Sequence, residues 1–261
     1  MADNAARHLG ESYDALATSV ERLSSGLRIN TAKDDAAGLA VRELMRADIA
    51  VLEQGARNAQ DGISMMQTME GAMQTIDDAL VRMKQLAEQA ATGSYSDAQR
   101  TIMNAEFQEM ADEIERISGS GDFNGITMLN NSATVSIHFG DTNDYIDVEG
   151  ADMTKAGLGI DALSITNAAS AKAVLAVLDS AIALKDTARA RFGYKMNRLE
   201  STVSVLEVQA ENLMAAESRV SDVDVATEMA AMTRGQVLAQ AGVAMLAQAN
   251  AMPQMALTLL R

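Results

Sequence analysis

The sequence predicts a mainly α-helical protein, an elongated antiparallel helical bundle or coiled coil with paired terminal helices and one small β-hairpin element. Three observations support this fold class. The chain has no cysteine, no tryptophan, one proline and only four tyrosines and four phenylalanines, a composition that favours thin helical bundles with aliphatic cores. Apolar residues recur in alternating steps of three and four over most of the 261 residues. Period-two alternation is confined mainly to one glycine-rich stretch, residues 119–165.

The first predicted helix carries an apolar row with heptad spacing, and such a row requires a partner helix. Its leucines are Leu9, Leu16, Leu23 and Leu27. The helical pattern then stops within residues 23–41, LSSGLRINTAKDDAAGLAV, because serine and glycine weaken a helix. It resumes at Ile49 and continues to Ala91, which predicts a second helix that approaches about fifty residues.

Three further elements follow along the chain. Ser96 or Asp97 is predicted to begin a third helix. Residues 135–139 and 146–148 alternate apolar and polar side chains, which predicts the two strands of one hairpin. A fourth helix is predicted from about residue 170 to the segment around Val220.

The last predicted helix has two apolar rows with heptad spacing. One row contains Leu238, Met245, Met252 and Leu259, and the other contains Val225, Met232, Ala239 and Leu246. Two rows indicate burial on more than one side, whereas the first helix covers only one side. We therefore expect the terminal helices to pair and the remaining apolar surface to contact other molecules.

Charge and composition exclude several classes of function. The formal net charge of −15 disfavours binding to nucleic acid and to anionic membranes. No nucleophile, base or metal-ligand constellation is visible, so the sequence predicts no enzymatic activity, no cofactor and no metal site. The N-terminus lacks the basic and apolar regions of a cleaved signal peptide, and polar residues interrupt the apolar run near the C-terminus, which argues against membrane insertion.

Three segments resemble bacterial flagellins, the filament proteins of the flagellum. They are LSSGLRINTAKDDAAGLAV, SGSGDFNGITMLN and VLAQAGVAMLAQANAMPQMALTLLR, in the order in which flagellins carry them. The resemblance covers most of residues 5–130 and 175–261. Flagellins usually begin with a short further lead-in, and many carry large middle domains. This sequence contains no large middle domain, so it resembles a minimal flagellin. It also begins without the lead-in, either because Met1 is an internal methionine taken as the start or because the lead-in is missing. In the second case the terminal helix pair is expected to be shortened.

The resemblance implies a structural subunit that self-assembles into the extracellular flagellar filament for motility. It implies a discontinuous inner-core domain of terminal helices, residues 1–36 and 221–261, and an outer-core rod domain, residues 37–220, which includes the hairpin region 119–165. The implied partners are further copies of the chain, an export chaperone, a filament cap and hook-associated proteins, with export that needs no cleaved signal peptide. Two alternatives stay open, a hook–filament junction protein of the same superfamily and a cytoplasmic coiled-coil scaffold.

Two sets of residues are predicted to serve assembly. The self-assembly contacts are assigned to Leu9, Leu16, Leu23, Leu27, Leu238, Met245, Met252 and Leu259. The connector between the inner and outer domains is assigned to Arg28, Asp34, Asp35 and Arg42, as salt bridges and helix caps. If the contacts between copies are head-to-tail and do not close into a ring, the product is a helical filament.

A third predicted surface concerns immune recognition. Residues 82–90, RMKQLAEQA, resemble the flagellin stretch that a vertebrate toll-like receptor binds, and Arg82 and Leu86 match that pattern. Asp112 stands where recognised flagellins tend to carry glutamate. An ordinary bundle surface would contain the same residues, so the sequence leaves both interpretations open.

Overall fold

The computed structural model describes the backbone of residues 2–140 and 143–259, and the side chains of residues 3–140 and 143–251. Within these ranges the helices are α1 (Ala2–Ser25), α2 (Ala36–Ala91), α3 (Asp97–Ser120), α4 (Ala168–Ser221) and α5 (Val225–Leu259). The strands are β1 (Asp122–Phe123), β2 (Ile126–Thr127), β3 (Thr134–His138) and β4 (Tyr145–Glu149). The predicted mainly α-helical fold is confirmed, and α1 pairs with α5 as expected.

The described residues form two small β-hairpins, whereas the sequence predicted one. Strands β3 and β4 form the predicted antiparallel hairpin, with Ile137 opposite Ile146. Strands β1 and β2 form the other, and its turn residues Asn124 and Gly125 have φ of 53° and 79°. A two-residue hairpin turn with positive φ at both positions prefers the pair Asn-Gly, so the sequence contained this signal in a stretch for which we predicted no strands.

The chain divides into two compact units, and α2 and α4 contribute residues to both. One unit contains Met1–Ala50 and Ala210–Arg261, and the other contains Val51–Gln209. We call the first the terminal unit and the second the central unit. The predicted inner-core and outer-core boundaries concern positions in a filament, and they stay a prediction.

The central unit has one apolar core, to which α2, α3, α4 and both hairpins contribute. The apolar residues of α2 recur at helical spacing, so they lie on one face. The largest fully buried side chains of this core include Met66, Met69, Met73, Ile76, Leu80, Met83, Leu86, Phe107, Ile114 and Phe192. Each such side chain stabilises the fold by about 1.5–3 kcal/mol relative to an exposed one, so this unit gains its stability from within the chain.

Polar groups fix the ends and the register of the central helices. Ser96 caps α3 and accepts a hydrogen bond from the backbone N–H of Gln99, whose side chain accepts one from the N–H of Ser96. Lys185 of α4 is buried and pairs with Asp77 of α2 and with Asp186. A buried ammonium group needs such partners, because burial of a charge without them is costly.

Two glycines of α2 form the seat on which the β3–β4 hairpin packs. A Cβ atom at Gly55 would lie 2.1 Å from the carbonyl oxygen of Phe139, and one at Gly62 would lie 2.2 Å from Cδ1 of Ile137. The two glycines are two helical turns apart and therefore lie on one face of the helix. At Gly55 the obstacle to a Cβ atom is the backbone of the hairpin, so only glycine allows this close approach, whereas at Gly62 the obstacle is the end of the Ile137 side chain.

Two further observations concern membrane-spanning helices and metal sites. Within the described residues, none of the helices combines the length and the hydropathy that crossing a lipid bilayer requires. The same residues contain no cluster of three or more His, Asp or Glu side chains that could hold a metal ion.

Candidate assembly interface

Two glycines of α5 allow α1 to approach it closely. A Cβ atom at Gly235 would lie 3.7 Å from Cβ of Leu16, and one at Gly242 would lie 3.0 Å from Cδ1 of Leu9. The contacted leucine moves towards the N-terminus of α1 as the glycine moves towards the C-terminus of α5, so the two helices run antiparallel. Each leucine thus packs over a glycine, and the heptad spacing of the two residue types matches.

The structure separates the predicted self-assembly residues into two groups. The leucines of the first row, Leu9, Leu16, Leu23 and Leu27, are partly buried within the terminal unit. Leu238 and Met245 are instead 53% and 63% exposed. The side chains of the remaining two, Met252 and Leu259, lie outside the described residues. Leu238 and Met245 are therefore the members of the set that are available to another molecule.

Helix α5 exposes apolar side chains on both flanks of the stripe that faces α1. Successive residues of a helix are about 100° apart around its axis, so Gly235, Ala239, Gly242 and Leu246 lie together on the stripe that faces α1. One flank carries Leu238 and Met245, and the other carries Val225, Met229 and Val243, all of them exposed. Helix α1 therefore covers only one side of a helix that is apolar on several.

The terminal unit as a whole buries few hydrophobic residues. Among its described side chains only Ile29, Ala210 and Ala239 are buried hydrophobics. A shallow groove of about 410 Å³ also lies along the α1–α5 contact, and its lining residues are Tyr13, Leu16, Gln236, Ala239, Gln240 and Val243. Apolar surface of this kind is typical of a site that binds another molecule.

Main-chain hydrogen bonds join the segment after α1 to the segment before α5. The N–H of Arg28 donates to the carbonyl of Ser221 at 2.6 Å, and the N–H of Val223 donates to the carbonyl of Gly26 at 3.0 Å. Gly26 has φ of 75°, a conformation that glycine adopts without steric cost. The chain leaves α1 at this glycine and pairs at once with the segment that leads into α5.

The predicted connector arginines bind main-chain carbonyl groups. Arg28 donates from Nη2 to the carbonyl of Val220 at 2.7 Å. Arg42 is buried and donates from Nη1 to the carbonyl of Ile29 at 2.8 Å, while its Nη2 pairs with Glu43 at 2.8 Å. Arg42 therefore forms one salt bridge within the described chain, and both arginines bind main-chain carbonyl groups.

The predicted connector aspartates cap turns and helix starts. Asp34 Oδ2 accepts hydrogen bonds from the N–H of Thr31 at 2.9 Å and from its hydroxyl at 3.0 Å, and these bonds hold the pKa of Asp34 below its usual range. Asp35 Oδ1 accepts from the N–H of Gly38 at 2.9 Å, in the first turn of α2. Asp35 thus satisfies a backbone donor that the start of α2 leaves free, and Asp34 closes the turn that precedes this helix.

Sequence reasoning missed a third cap and a second connector ion pair. Asp224 accepts hydrogen bonds from the hydroxyl of Thr227 at 2.6 Å and from the N–H of Ala226 at 3.0 Å, and these lower the pKa of Asp224. Arg46 pairs with Glu217 at 3.1 Å. The cap had a local signal, an aspartate directly before an apolar helix, whereas the ion pair joins distant residues and had none.

The structure corrects the predicted receptor surface at Leu86. Leu86 is only 2% exposed because it continues the apolar row of α2 into the core. Arg82 is about half exposed and pairs with Glu106 at 2.5 Å. Asp112 is exposed and accepts a hydrogen bond from Lys155 at 2.8 Å, which raises the pKa of that lysine. Two of the three predicted residues therefore lie on the surface.

Comparison with known proteins finds relatives that align with nearly the whole of this chain. Residues 1–134 match the family described as the bacterial flagellin N-terminal helical region, and residues 175–260 match the bacterial flagellin C-terminal helical region. A flagellin from Halalkalibacterium halodurans is 41% identical over 262 residues, which cover 99% of this chain and 96% of that protein. The flagellar filament 33 kDa core protein of Treponema phagedenis is 42% identical over 279 residues, which cover 98% of this chain and 96% of that protein.

Solved structures give a second comparison. The crystal structure of Bacillus cereus flagellin aligns with a TM-score of 0.53 and 30% identity, over 62% of this chain and 94% of that one. A putative flagellar hook-associated protein from Vibrio parahaemolyticus aligns with a TM-score of 0.61 and 14% identity, over 72% of this chain and 100% of that one. At 14% identity the second likeness concerns the fold alone.

Proposed function

The chain belongs to the bacterial flagellin family and is a structural subunit of the flagellar filament, and we propose that the exposed apolar side chains of α1 and α5 make the contacts between its copies. The filament lies outside the cell, and flagellins polymerise with themselves. The alternatives of a junction protein and a cytoplasmic scaffold are not favoured, because relatives at about 40% identity over nearly the whole chain are filament proteins.

The observation that carries the proposal is the exposure of apolar residues on both flanks of α5. Leu238 and Met245 have no covering helix in the single chain, and neither has Tyr13 of α1. Burial of such surface contributes about 25 cal/mol per Å² of apolar area, which favours association. One flank and the groove beside Tyr13 are different surfaces, so contact between them is head-to-tail, and repetition of such a contact builds a filament.

In the filament, residues 1–36 and 221–261 would form the inner core, and residues 37–220 the outer core. The resemblance to flagellins supports this division, as does the exposure of apolar side chains on α5. The connector supports it as well. Its main-chain bonds between residues 26–28 and 221–223 hold the ends of α1 and α4 together near the proposed boundary.

The remaining partners follow from the same surface. Before assembly the flanks of α5 are uncovered, and an export chaperone would protect them in the cell. Passage to the outside would use no cleaved signal peptide, and a cap and hook-associated proteins would bind at the filament ends. A toll-like receptor would contact exposed Arg82 and Asp112, while Leu86 would act only through the core. The subunit would have no catalytic role.

Seeded polymerisation of matched variants tests the proposal. Leu238 of the terminal unit and Leu184 of the central unit are 53% and 52% exposed, so Leu238→Ser and Leu184→Ser remove equal apolar surface from each. We expect Leu238→Ser to raise the critical monomer concentration about tenfold or more, since it places a polar group in a buried contact. Leu184→Ser should leave it within about threefold.

Both variants are first compared with the unsubstituted chain by far-ultraviolet circular dichroism, and the polymers are inspected by negative-stain electron microscopy after short seeds are added. Failure of the unsubstituted chain to form filaments would contradict the function itself. Filaments from Leu238→Ser at an unchanged critical concentration would contradict only the assignment of the contacts to α5.

A further inference from the structure

The chain has 18 methionines, and those in the core of the central unit differ from those on α5 in their solvent exposure. In the core of the central unit, Met66, Met69, Met73 and Met83 are fully buried. On α5, Met229 is 47% exposed and Met245 is 63% exposed. The first group is shielded from any solute, whereas the thioether sulfurs of the second lie in contact with solvent before assembly.

Met214 of α4 is also exposed, at 45%, but the two exposed methionines of α5 lie on the flanks that we assign to contacts between copies. Met245 follows Leu238 on one flank at heptad spacing, and Met229 lies beside Val225 on the other. The chain contains no cysteine, so exposed thioethers are its most readily oxidised side chains. A chemical change at either sulfur would therefore alter an apolar surface that assembly must bury.

We propose that Met229 and Met245 are oxidation sites through which a peroxide controls assembly of the free subunit. This inference rests on the proposed assembly surface. The thioether sulfur attacks one oxygen of hydrogen peroxide, an S–O bond forms, and the O–O bond breaks. The other oxygen leaves as water with both protons, so the sulfur is oxidised to a sulfoxide and the peroxide is reduced. The product replaces a flexible apolar group by a polar, chiral one.

The sulfoxide acts on assembly through desolvation. Its oxygen is a strong hydrogen-bond acceptor that loses its bonds to water in the contact, and the neighbouring apolar side chains on the same flanks, Leu238 beside Met245 and Val225 beside Met229, offer it no donor. Burial of an uncompensated polar group shifts an equilibrium by about one decade or more, so the critical concentration should rise about tenfold. In a finished filament the contact covers both sulfurs. Oxidation therefore controls free subunits, and methionine sulfoxide reductase reverses the effect.

The test compares the unsubstituted chain with the double variant Met229→Leu/Met245→Leu, which conserves apolar volume. Each monomer is treated with hydrogen peroxide and quenched, its sulfoxides are located by peptide mass spectrometry, and its critical concentration is measured with seeds. We expect sulfoxide at Met229 and Met245 before the buried core methionines. We expect the critical concentration of the oxidised unsubstituted chain to rise about tenfold, and that of the oxidised double variant to stay within about threefold.

A polar variant gives a second measurement that needs no oxidant. Met245→Gln places an amide where the sulfoxide would lie, and it should raise the critical concentration in the same direction. Filaments treated with peroxide and then depolymerised should contain little sulfoxide at Met229 and Met245. After reductase treatment, oxidised monomer should regain its original critical concentration.

The outcomes separate this inference from the proposed function. Assembly of untreated chain together with unchanged assembly of oxidised chain would overturn the inference alone. An equal loss in the oxidised double variant would also overturn it, since other methionines that remain in that variant, among them Met214, Met252 and Met255, would then be responsible. Absence of filaments from untreated chain would overturn the proposed function and this inference with it.

Discussion

The central unit and the terminal unit bury their apolar side chains to different degrees. In the central unit, α2, α3, α4 and the hairpins enclose a continuous core of fully buried residues. In the terminal unit, the described side chains include only Ile29, Ala210 and Ala239 as buried hydrophobics, while α5 exposes apolar residues on two flanks. The difference separates two sources of stability. The central unit is stabilised by contacts within one chain, and the terminal unit leaves apolar surface of α5 that the single chain does not cover.

The two units also set the register of their helices by different means. In the central unit, ion pairs join α2 to α4, and Lys185 with Asp77 is the buried example. In the terminal unit, leucines of α1 pack over Gly235 and Gly242 of α5, and that stretch of α5 contains no charged residue. Glycine at these two positions allows the helices to pack closely without burying a charged group. The remaining surface of α5 is therefore free for apolar contacts.

Truncation of one leucine in each unit gives the largest expected contrast. Leu80 is fully buried in the central core, so Leu80→Ala removes apolar contacts, leaves a cavity and should lower the free energy of unfolding by about 2–5 kcal/mol. Leu238→Ala removes an exposed side chain and should change it by about 0.5 kcal/mol or less in the monomer. Urea unfolding followed by circular dichroism measures both, and equal losses would contradict the comparison.

Removal of one partner from the buried ion pair should have the next largest effect. Asp77→Ala leaves Lys185 buried with Asp186 as its remaining partner at 2.9 Å, and we expect a loss of about 2–4 kcal/mol in the free energy of unfolding. Lys185→Met replaces the ammonium by an apolar chain of similar length and should cost about 1 kcal/mol or less. Urea unfolding compares the two variants. A larger loss from Lys185→Met would show that the pair stabilises the unit more than apolar packing does.

A smaller effect is expected where the hairpin meets α2. Gly55→Ala forces a Cβ atom to within 2.1 Å of the Phe139 carbonyl oxygen, which should cost about 1–3 kcal/mol and release the β3–β4 hairpin. Gly71→Ala is the matched control, because the space around Gly71 in the same helix is open, and alanine should stabilise it by about 1 kcal/mol. Hydrogen exchange of the β3–β4 amides reports the docking, and unchanged protection in Gly55→Ala would contradict the seat.

These glycines show which features the sequence could predict. Period and composition predicted the helices and the β3–β4 hairpin, because each depends on residues close together in the chain. The α1–α5 pair was predicted from the apolar rows that each of these helices carries without a nearby partner. The seat at Gly55 and Gly62 depends on a hairpin far along the sequence, and nothing beside either glycine indicates it. The same reason explains the connector, since Arg28 binds a carbonyl of Val220, and backbone acceptors have no signature in the sequence.

One prediction failed, and one packing choice had not been predicted, because local patterns in the sequence competed with each other. Leu86 matched a receptor-binding pattern, but it also continued the apolar row of α2, and burial in the core decided its position. On α5 the row with Leu238 and Met245 is the more apolar, yet α1 packs on the row with Ala239, because the adjacent glycines let the backbones approach. Side-chain size, rather than hydrophobicity alone, therefore decided which face of α5 is covered within the chain.

The smallest expected effect is the pH dependence of the caps in the terminal unit. Hydrogen bonds from the Thr227 hydroxyl and backbone hold the pKa of Asp224 below its usual range, and those from Thr31 do the same for Asp34. A carboxyl group whose pKa is lower in the folded state contributes stability above its unfolded pKa and loses it as pH falls through the folded value. Acidification below the ordinary aspartate range should therefore weaken the first turn of α5 before the core of the central unit.

Asp224→Asn isolates this effect, because asparagine still caps a helix but does not titrate in this range. In the unsubstituted chain, hydrogen-exchange protection at the first amides of α5 should fall with acidification, after correction for the intrinsic rate. In Asp224→Asn the protection should be lower at neutral pH, since the charge that favours a helix N-terminus is lost, and it should no longer depend on pH. An acid-induced loss of equal size in both proteins would assign the pH dependence to other carboxylates. The cap would then contribute geometry to the terminal unit and no charge-dependent stability.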